Sequence, residues 1–286
     1  MNAKCPLFSI VIPTLNAGVY LRGALESIAT QSFQSFEVLL VDGGSTDNTL
    51  DIADAFDSQI TCLRRLREDS GGVYGAINSG IAAASGDWVL VLGSDDRLHQ
   101  PDTLLQAADR ISRTSSTIVY GDVVIQGNNR YMAEGERYAG RLTLSDLATR
   151  NVCQQAIFYR IELFIRTGGF QAKFRTCADW VFLLENYMSE RPEWIDLVVA
   201  EYHAGGLSSR TVDHEFLIYR PMLLLRIMLS NLLNDEAQEA RVHLRIYSTE
   251  FRRAGRRVRS AFLLFGWCVL TIVSRLPKLR PTEARI

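Results

Sequence analysis

The chain has 286 residues, 47% of them hydrophobic and 22% charged, with 31 Lys and Arg against 32 Asp and Glu for a formal net charge of -1. These values sit near the averages of soluble globular chains and exclude a disordered, a collagenous and a polytopic membrane protein. The charge is unevenly placed: ten basic residues against the single acid Glu250 give residues 241–280 a net of +9, and because 281–286 cancel, the first 240 carry −10.

Residues 8–12 form a short β-branched run stopped by Pro13, which predicts a buried strand, and Leu21, Leu25 and Ile28 give residues 17–30 helical spacing. A second strand is predicted at 36–41, ended by the turn Asp42-Gly43-Gly44-Ser45, where Ser45 or Thr46 can cap a helix running to Phe56. A third strand is predicted at 60–63, a helix at 73–84 and a fourth strand at 88–92. Strands alternating with helices at this pitch predict an α/β fold with a doubly wound, mostly parallel sheet. After Pro101 come a helix to Ile111, short strands at 117–120 and 123–126, a polar stretch through Arg137, strands at 156–159 and 195–201, and a helix between them at 178–188. Beyond Ser209 the pattern is helical: an apolar helix at 215–233, a charged one at 235–253 and a mostly apolar run at 261–273 between basic clusters. Glycine nearly disappears after Gly206, so the expected domains are residues 1–210 and 211–286.

In an open α/β sheet, ligands bind outside the carboxyl ends of the strands. Those ends read Pro13-Thr14-Leu15-Asn16, Asp42-Gly43-Gly44, Glu68-Asp69-Ser70-Gly71-Gly72 and Gly93-Ser94-Asp95-Asp96, so three of the four present Asp. Neither G-x-x-x-x-G-K-[ST] nor G-x-G-x-x-G occurs, which argues against a phosphate site made by a glycine-rich loop alone. Asp95 and Asp96 could share a divalent cation with substrate phosphates, or form a solvated turn. Asp42 reads equally as an Asx-turn residue, Asn16 and Asn78 as helix-related hydrogen bonders, and Asp179 as a first-turn acid favourable to its helix dipole. Gly72 either permits a tight turn or lets backbone approach a ligand.

Five cysteines, an odd number without C-x-x-C spacing, fit reduced thiols rather than a zinc site or disulfide framework. The apolar stretch before Pro13 is too short and weakly charged for a signal peptide, so a cytoplasmic body is expected. The run at 261–273 is shorter than the roughly twenty residues a spanning helix needs. Its Arg flanks and Phe and Trp content fit an interfacial helix on an anionic leaflet, at the inner face of the cell membrane. The alternative is a helix packed on the protein's own core or on a homodimer partner.

Four segments in order, Ser9-Ile-Val-Ile-Pro-Thr-Leu-Asn16, Phe36-Glu-Val-Leu-Leu-Val-Asp-Gly-Gly-Ser-Thr-Asp-Asn-Thr49, Glu68-Asp-Ser-Gly-Gly-Val-Tyr-Gly-Ala-Ile-Asn-Ser-Gly80 and Gly86-Asp-Trp-Val-Leu-Val-Leu-Gly-Ser-Asp-Asp96, resemble the successive motifs of glycosyltransferase family 2. The likeness continues through Val119-Tyr-Gly-Asp122, Cys153-Gln-Gln-Ala-Ile-Phe-Tyr159, Gly168-Gly-Phe170, Cys177-Ala-Asp-Trp180 and Gly205-Gly-Leu-Ser208. The resemblance implies a GT-A type fold, a nucleoside-diphosphate sugar donor such as a UDP-sugar, Mg²⁺ or Mn²⁺, and transfer with inversion to a saccharide or lipid-linked hydroxyl in envelope polysaccharide synthesis. Carried across by motif, Pro13, Thr14 and Asn16 would line the nucleotide pocket, Asp42 would meet the base and Asp69 the nucleoside. Gly72, Asn78 and Gln155 would join the substrate site, Asp95 and Asp96 would be the acidic metal and ribose motif, and Asp179 the catalytic base. Gly93 stands where the family often has an acid, and Gln154 where a His is common. The rival readings are a catalytically silent nucleotide-sugar-binding or scaffold subunit and a nucleotidyltransferase; the latter would show a glycine-rich, basic N-terminal loop, which Pro13-Thr14-Leu15-Asn16 does not provide.

Overall fold

The first strand, β1 (Phe8–Thr14), lies in register with β2 (Phe36–Asp42), and every residue of the pair except Pro13 is buried. A computed structural model of the protein describes residues 6–68, 71–127 and 133–274. In chain order the remaining elements of the first half are α1 (Leu21–Ala29), α2 (Thr49–Asp54), β3 (Leu63–Arg67), α3 (Gly72–Ala83), β4 (Trp88–Val91), β5 (Arg97–Leu98), α4 (Thr103–Ile111), β6 (Ile118–Gln126) and β7 (Arg137–Tyr138). There follow α5 (Leu144–Leu147), a 3-10 turn (Gln154–Ala156), β8 (Ile157–Arg160), α6 (Ile161–Thr167), α7 (Ala178–Glu190), β9 (Glu193–His203), α8 (Leu207–Arg210), α9 (His214–Ser230), α10 (Asp235–Ala240), α11 (Val242–Arg253) and α12 (Arg257–Val273).

The strands form one mixed sheet in the order β3-β2-β1-β4-β8-β6-β9-β5, with β7 pairing β6. β1 pairs in parallel with β2 and β4, and β2 with β3, which brings their carboxyl ends to one edge. β8 runs antiparallel between β4 and β6, and β9 returns parallel to β6. The helix face of the sheet is built by side chains such as Leu21, Leu25 and Ile28, all 0% exposed, against Ile10, Ile12, Val38 and Leu40. Each such side chain contributes about 1.5–3 kcal/mol by leaving water.

Besides short elements that the sequence reading did not contain (β5, β7, α5, α6 and α8), three predicted elements differ in the structure. The third strand lies at Leu63–Arg67 rather than 60–63. Ile60 is instead a buried turn residue whose N–H donates to the Phe56 carbonyl, and the true strand is a charged edge. Arg64 pairs with Glu37 at 3.2 Å, and Arg65 with Asp54 and Asp57 at 2.8 Å each. Edge strands carry such charges, which hide them from a search for apolar runs. The two short strands predicted around Gly121 are one strand, β6, with a shift of register against β9 at that glycine. A Cβ at Gly121 would lie 2.3 Å from the Leu197 carbonyl oxygen, so only glycine lets the two backbones approach this closely. The charged helix expected over 235–253 is broken at Arg241, whose guanidinium takes the Gln238 carbonyl at 2.5 Å.

The chain divides into two compact units, Met1–Leu142 with Asn151–Phe216, and Thr143–Arg150 with Leu217–Ile286. The division falls after Phe216 rather than at 210, and it assigns α5 to the C-terminal unit. That unit is a helical assembly. Asn234 caps α10 by accepting the Ala237 N–H, Glu236 accepts the Leu144 N–H at 2.9 Å, and Ser248 and Ser260 join α11 to α12 at 3.0 Å. No helix among the described residues is long and apolar enough to cross a membrane.

Candidate active site

Two loops at the carboxyl ends of β1 and β2 are knitted together by side chains. Asn16, held at φ 50°, donates its N–H to Ser45 Oγ and accepts the Thr46 N–H on Oδ1 at 2.9 Å. Asp47 accepts the Gly18 N–H in the same way. Asp42 directs its carboxylate into its own turn, where Oδ2 accepts the N–H groups of Gly44 and Ser45 at 3.0 and 2.9 Å and Oδ1 accepts the Ser45 hydroxyl. Of its two sequence readings, the Asx turn is the geometry present.

These loops wall a cleft of about 560 Å³. Pro13, Thr14, Asn16, Gly72 and Asp95 line it, and so do Tyr20, Glu68, His203 and Arg210, which motif reasoning did not single out. The first residues of α3 reach this wall, so the positive end of that helix dipole favours an anion there. Asp69 lies outside the described residues. Asn78 does not line the cleft: its amide clamps the Phe170 backbone, donating to the carbonyl at 2.8 Å and accepting the N–H at 2.9 Å.

A smaller cavity of about 160 Å³ shares Pro13, Gly93 and Asp95 with the cleft and adds Tyr74, Asp96, Gln154, Gln155 and Arg175. Asp96 is 6% exposed and accepts the His203 N–H on Oδ1 at 2.8 Å. Burial, and then the neighbouring Asp95 carboxylate, push its carboxyl up to about 8, against the pull of the His203 N–H and the Gln155 amide. A Cβ on Gly93 would lie 2.4 Å from Asp96 Oδ2 and 2.9 Å from Asp95 Oδ1. Glycine at 93 therefore leaves an oxygen-lined notch between the two carboxylates. Hard divalent cations are held by one or two carboxylates plus substrate phosphates, and the donor chemistry of this notch fits that description. No cluster of three or more His, Cys, Asp or Glu placed to hold a metal occurs among the described residues, so further ligands would come from the substrate and water. Beside the notch, the buried Nε2 of Gln154 has no hydrogen-bond partner among the described residues, while the Gln155 amide faces Asp96. Buried amide donors without partners are uncommon, and one on a cavity wall suits a polar ligand.

Asp179 sits in the first turn of α7, 6% exposed. Its Oδ1 accepts the Tyr74 hydroxyl at 2.5 Å and its Oδ2 the Asn151 amide at 2.7 Å. Burial raises its carboxyl, while those two hydrogen bonds pull it back down. Tyr74 lines the small cavity and Asp179 does not. Asp96 and Asp179 both lie near enough to the Cys153 thiol to push it upward, after burial itself. Asp213 stiffens the approach to Asp179 by accepting the N–H groups of Thr176 and Phe216. Tyr74 falls within a segment quoted above, whereas nothing in the local sequence marks Asn151 or His203.

The family model described as Glycosyl transferase family 2 matches residues 9–175. A PGL/p-HBAD biosynthesis glycosyltransferase of Mycobacterium tuberculosis is 43% identical over 223 residues, covering 76% of this chain and 85% of that protein. Among solved structures, Staphylococcus aureus TarS 1-349 in complex with UDP-GlcNAc superposes with a TM-score of 0.65 at 23% identity, covering 86% of this chain and 72% of that one. The mannosyltransferase PcManGT from Pyrobaculum calidifontis, in complex with GDP-Man and Mn²⁺, gives 0.57 at 17% identity over 95% of this chain and 88% of that one. At such identities the structural likeness shows a common fold.

Proposed function

The chain belongs to glycosyltransferase family 2, and on that premise we propose that it moves a sugar from a nucleoside-diphosphate sugar, a UDP-sugar in the first instance, to a hydroxyl of a glycolipid or saccharide in cell-envelope synthesis, with inversion at the anomeric carbon. The supporting observation is the meeting of Asp95, Asp96, Gln155 and the unpartnered Gln154 amide in a cavity that adjoins the strand-end cleft. The mycobacterial relative's name points to an envelope glycolipid, and the TarS complex holds a UDP-sugar on the same fold.

Asp179 is the group to take the acceptor's proton. Its carboxylate is fixed by Tyr74 and Asn151, and a positioned base of this kind supplies about 10²–10⁴-fold. As the acceptor oxygen bonds to the anomeric carbon, the bond from that carbon to the diphosphate oxygen breaks, its electron pair leaves with the diphosphate, and the acceptor proton passes to Asp179. A single displacement inverts the carbon. Asp95 and Asp96 would hold Mg²⁺ or Mn²⁺, whose charge would offset that growing on the diphosphate. Gln154 and Gln155 would donate to sugar hydroxyls or phosphate oxygens.

Thermal unfolding with a panel of nucleotide sugars, each with and without Mn²⁺, tests the reading. One donor is expected to stabilise the protein by about 2.7 kcal/mol at a hundred times its Kd, and only with the cation. Absence of any cation-dependent stabilisation would favour the silent-subunit reading.

A further inference from the structure

Helix α12 has two apolar faces, and the structure accounts for only one. Ser260, Leu263, Gly266 and Leu270 are buried within the C-terminal unit; Ser260 meets Ser248, and Leu225 packs so close to Gly266 that a Cβ there would lie 2.1 Å from it. The opposite face exposes Val258 (71%), Phe262 (57%), Phe265 (67%) and Ile272 (64%). These positions follow the four- and three-residue spacing of one helix stripe. Two large aromatic side chains exposed on one stripe form a contiguous apolar patch of the kind that marks an interaction surface.

The charge beside this stripe identifies its occupant. Arg252 and Arg253 end α11, Gly255 turns the chain at φ 73°, and Arg256, Arg257 and Arg259 open α12; all five arginines are exposed. A cleft of about 450 Å³ lined by Ile218, Gly255, Arg256, Arg257, Val258 and Arg259 opens at the head of the stripe. Guanidinium groups match phosphate oxygens in planar, two-point geometry. A second copy of the chain would have to bring a like-charged cluster against this one, whereas an anionic lipid leaflet offers phosphate to the arginines and acyl chains to the phenylalanines.

We propose that α12 is a membrane-surface helix: Phe262, Phe265 and Ile272 enter an anionic leaflet while Arg256, Arg257 and Arg259 bind lipid headgroup phosphates. The helix does not span the bilayer, and one flank stays on the protein. Such binding needs both signals, because a short apolar stripe or a basic cluster alone gives only marginal, reversible attachment. The inference does not rest on the sugar-donor reading.

Full-length protein co-floated with vesicles of phosphatidylcholine containing phosphatidylglycerol tests it. The wild type is expected to float with anionic vesicles and to remain behind with pure phosphatidylcholine. The triple variant Arg256→Gln, Arg257→Gln, Arg259→Gln is expected to lose about a hundredfold in vesicle affinity, from roughly a fivefold loss per arginine. Phe262→Ser with Phe265→Ser should abolish flotation, while circular dichroism and the unfolding midpoint match the wild type. Equal flotation of wild type and the phenylalanine variant would overturn the proposal. So would absence of flotation together with a dimer, by sedimentation equilibrium, that dissociates in that variant, since the stripe would then join copies of the chain. Inorganic phosphate at millimolar concentration should not release the protein; release by it would overturn the membrane assignment in favour of a free-phosphate site.

Discussion

At the residue scale, the proposed base Asp179 is a carboxylate held by two neutral donors from distant segments. Asp179→Asn is expected to lower turnover at least a hundredfold, the lower bound for a lost general base, while leaving donor binding by calorimetry unchanged. Near-normal turnover would remove Asp179 from the mechanism. Tyr74→Phe separates positioning from mere packing. Asp179 must be ionised to accept a proton, and burial raises its carboxyl, so the rate falls as pH drops through that raised value. Tyr74 lowers it; without the hydroxyl it rises further, and the acid limb of kcat/KM should move to higher pH. Tyr159 and Cys153 beside Asp179 are held neutral by burial, and Asp96, pushed up to about 8, also titrates near neutrality; the Tyr74 hydroxyl bonds Asp179 and is not among the groups acting on Asp96, so the movement of the limb in Tyr74→Phe, not its presence, reports Asp179. An unmoved limb in Tyr74→Phe would show that another group titrates. The sequence contained Asp179 as a first-turn acid and Tyr74 inside a motif-like segment, but the hydrogen bond joining them crosses 105 positions and no local pattern encodes it. Gly93 shows the converse. The acid common in the family at this position would here enter the space between two carboxylates, so Gly93→Asp should weaken cation-dependent donor stabilisation instead of strengthening it, as a thermal shift series would read.

At the scale of elements, Glu37 joins three strands and a loop. Buried on β2, it accepts the Ser9 hydroxyl on β1, the Ser85 N–H and hydroxyl before β4, and Arg64 of β3. Those donors hold its carboxyl below the ordinary range despite burial. A lowered folded-state pKa gives stability that is present above the unfolded value of about 4.5 and is lost as pH falls through the folded one. Glu37→Ala is expected to cost about 3 kcal/mol at pH 7 by urea unfolding, because it leaves buried donors unpaired, and its difference from wild type should shrink below pH 4. A constant difference across pH would place the cost in packing alone. β1, β2 and β4 were legible as apolar runs because both their faces are covered. β3 was displaced and β6 divided for the same reason in reverse: a charged edge strand has no apolar signature, and a glycine that permits close strand contact resembles a turn.

At the scale of the molecule, the net charge of -1 averages an acidic sheet unit with a basic helical one. Seven of the ten basic residues counted in 241–280 lie in described structure; Arg275, Lys278 and Arg280 do not. Since five exposed arginines gather near the start of α12, vesicle binding should weaken steeply with salt, by flotation at 50 and 300 mM NaCl, through screening. Salt-independent binding would assign attachment to the apolar stripe alone. Composition, the alternation of strand and helix, and acids at the strand ends determined the α/β class, the family likeness and the edge of the sheet where the candidate site lies, because these follow from periodicity and from short segments contiguous in the chain. Three matters waited for the tertiary structure. Asp42 serves its own turn and Asn78 clamps the Phe170 backbone. Tyr74 and Asn151 converge on Asp179. And α12, apolar on two sides, buries only one of them. Each depends on which side chains meet across long stretches of chain, and a one-dimensional pattern of residue types does not carry that information.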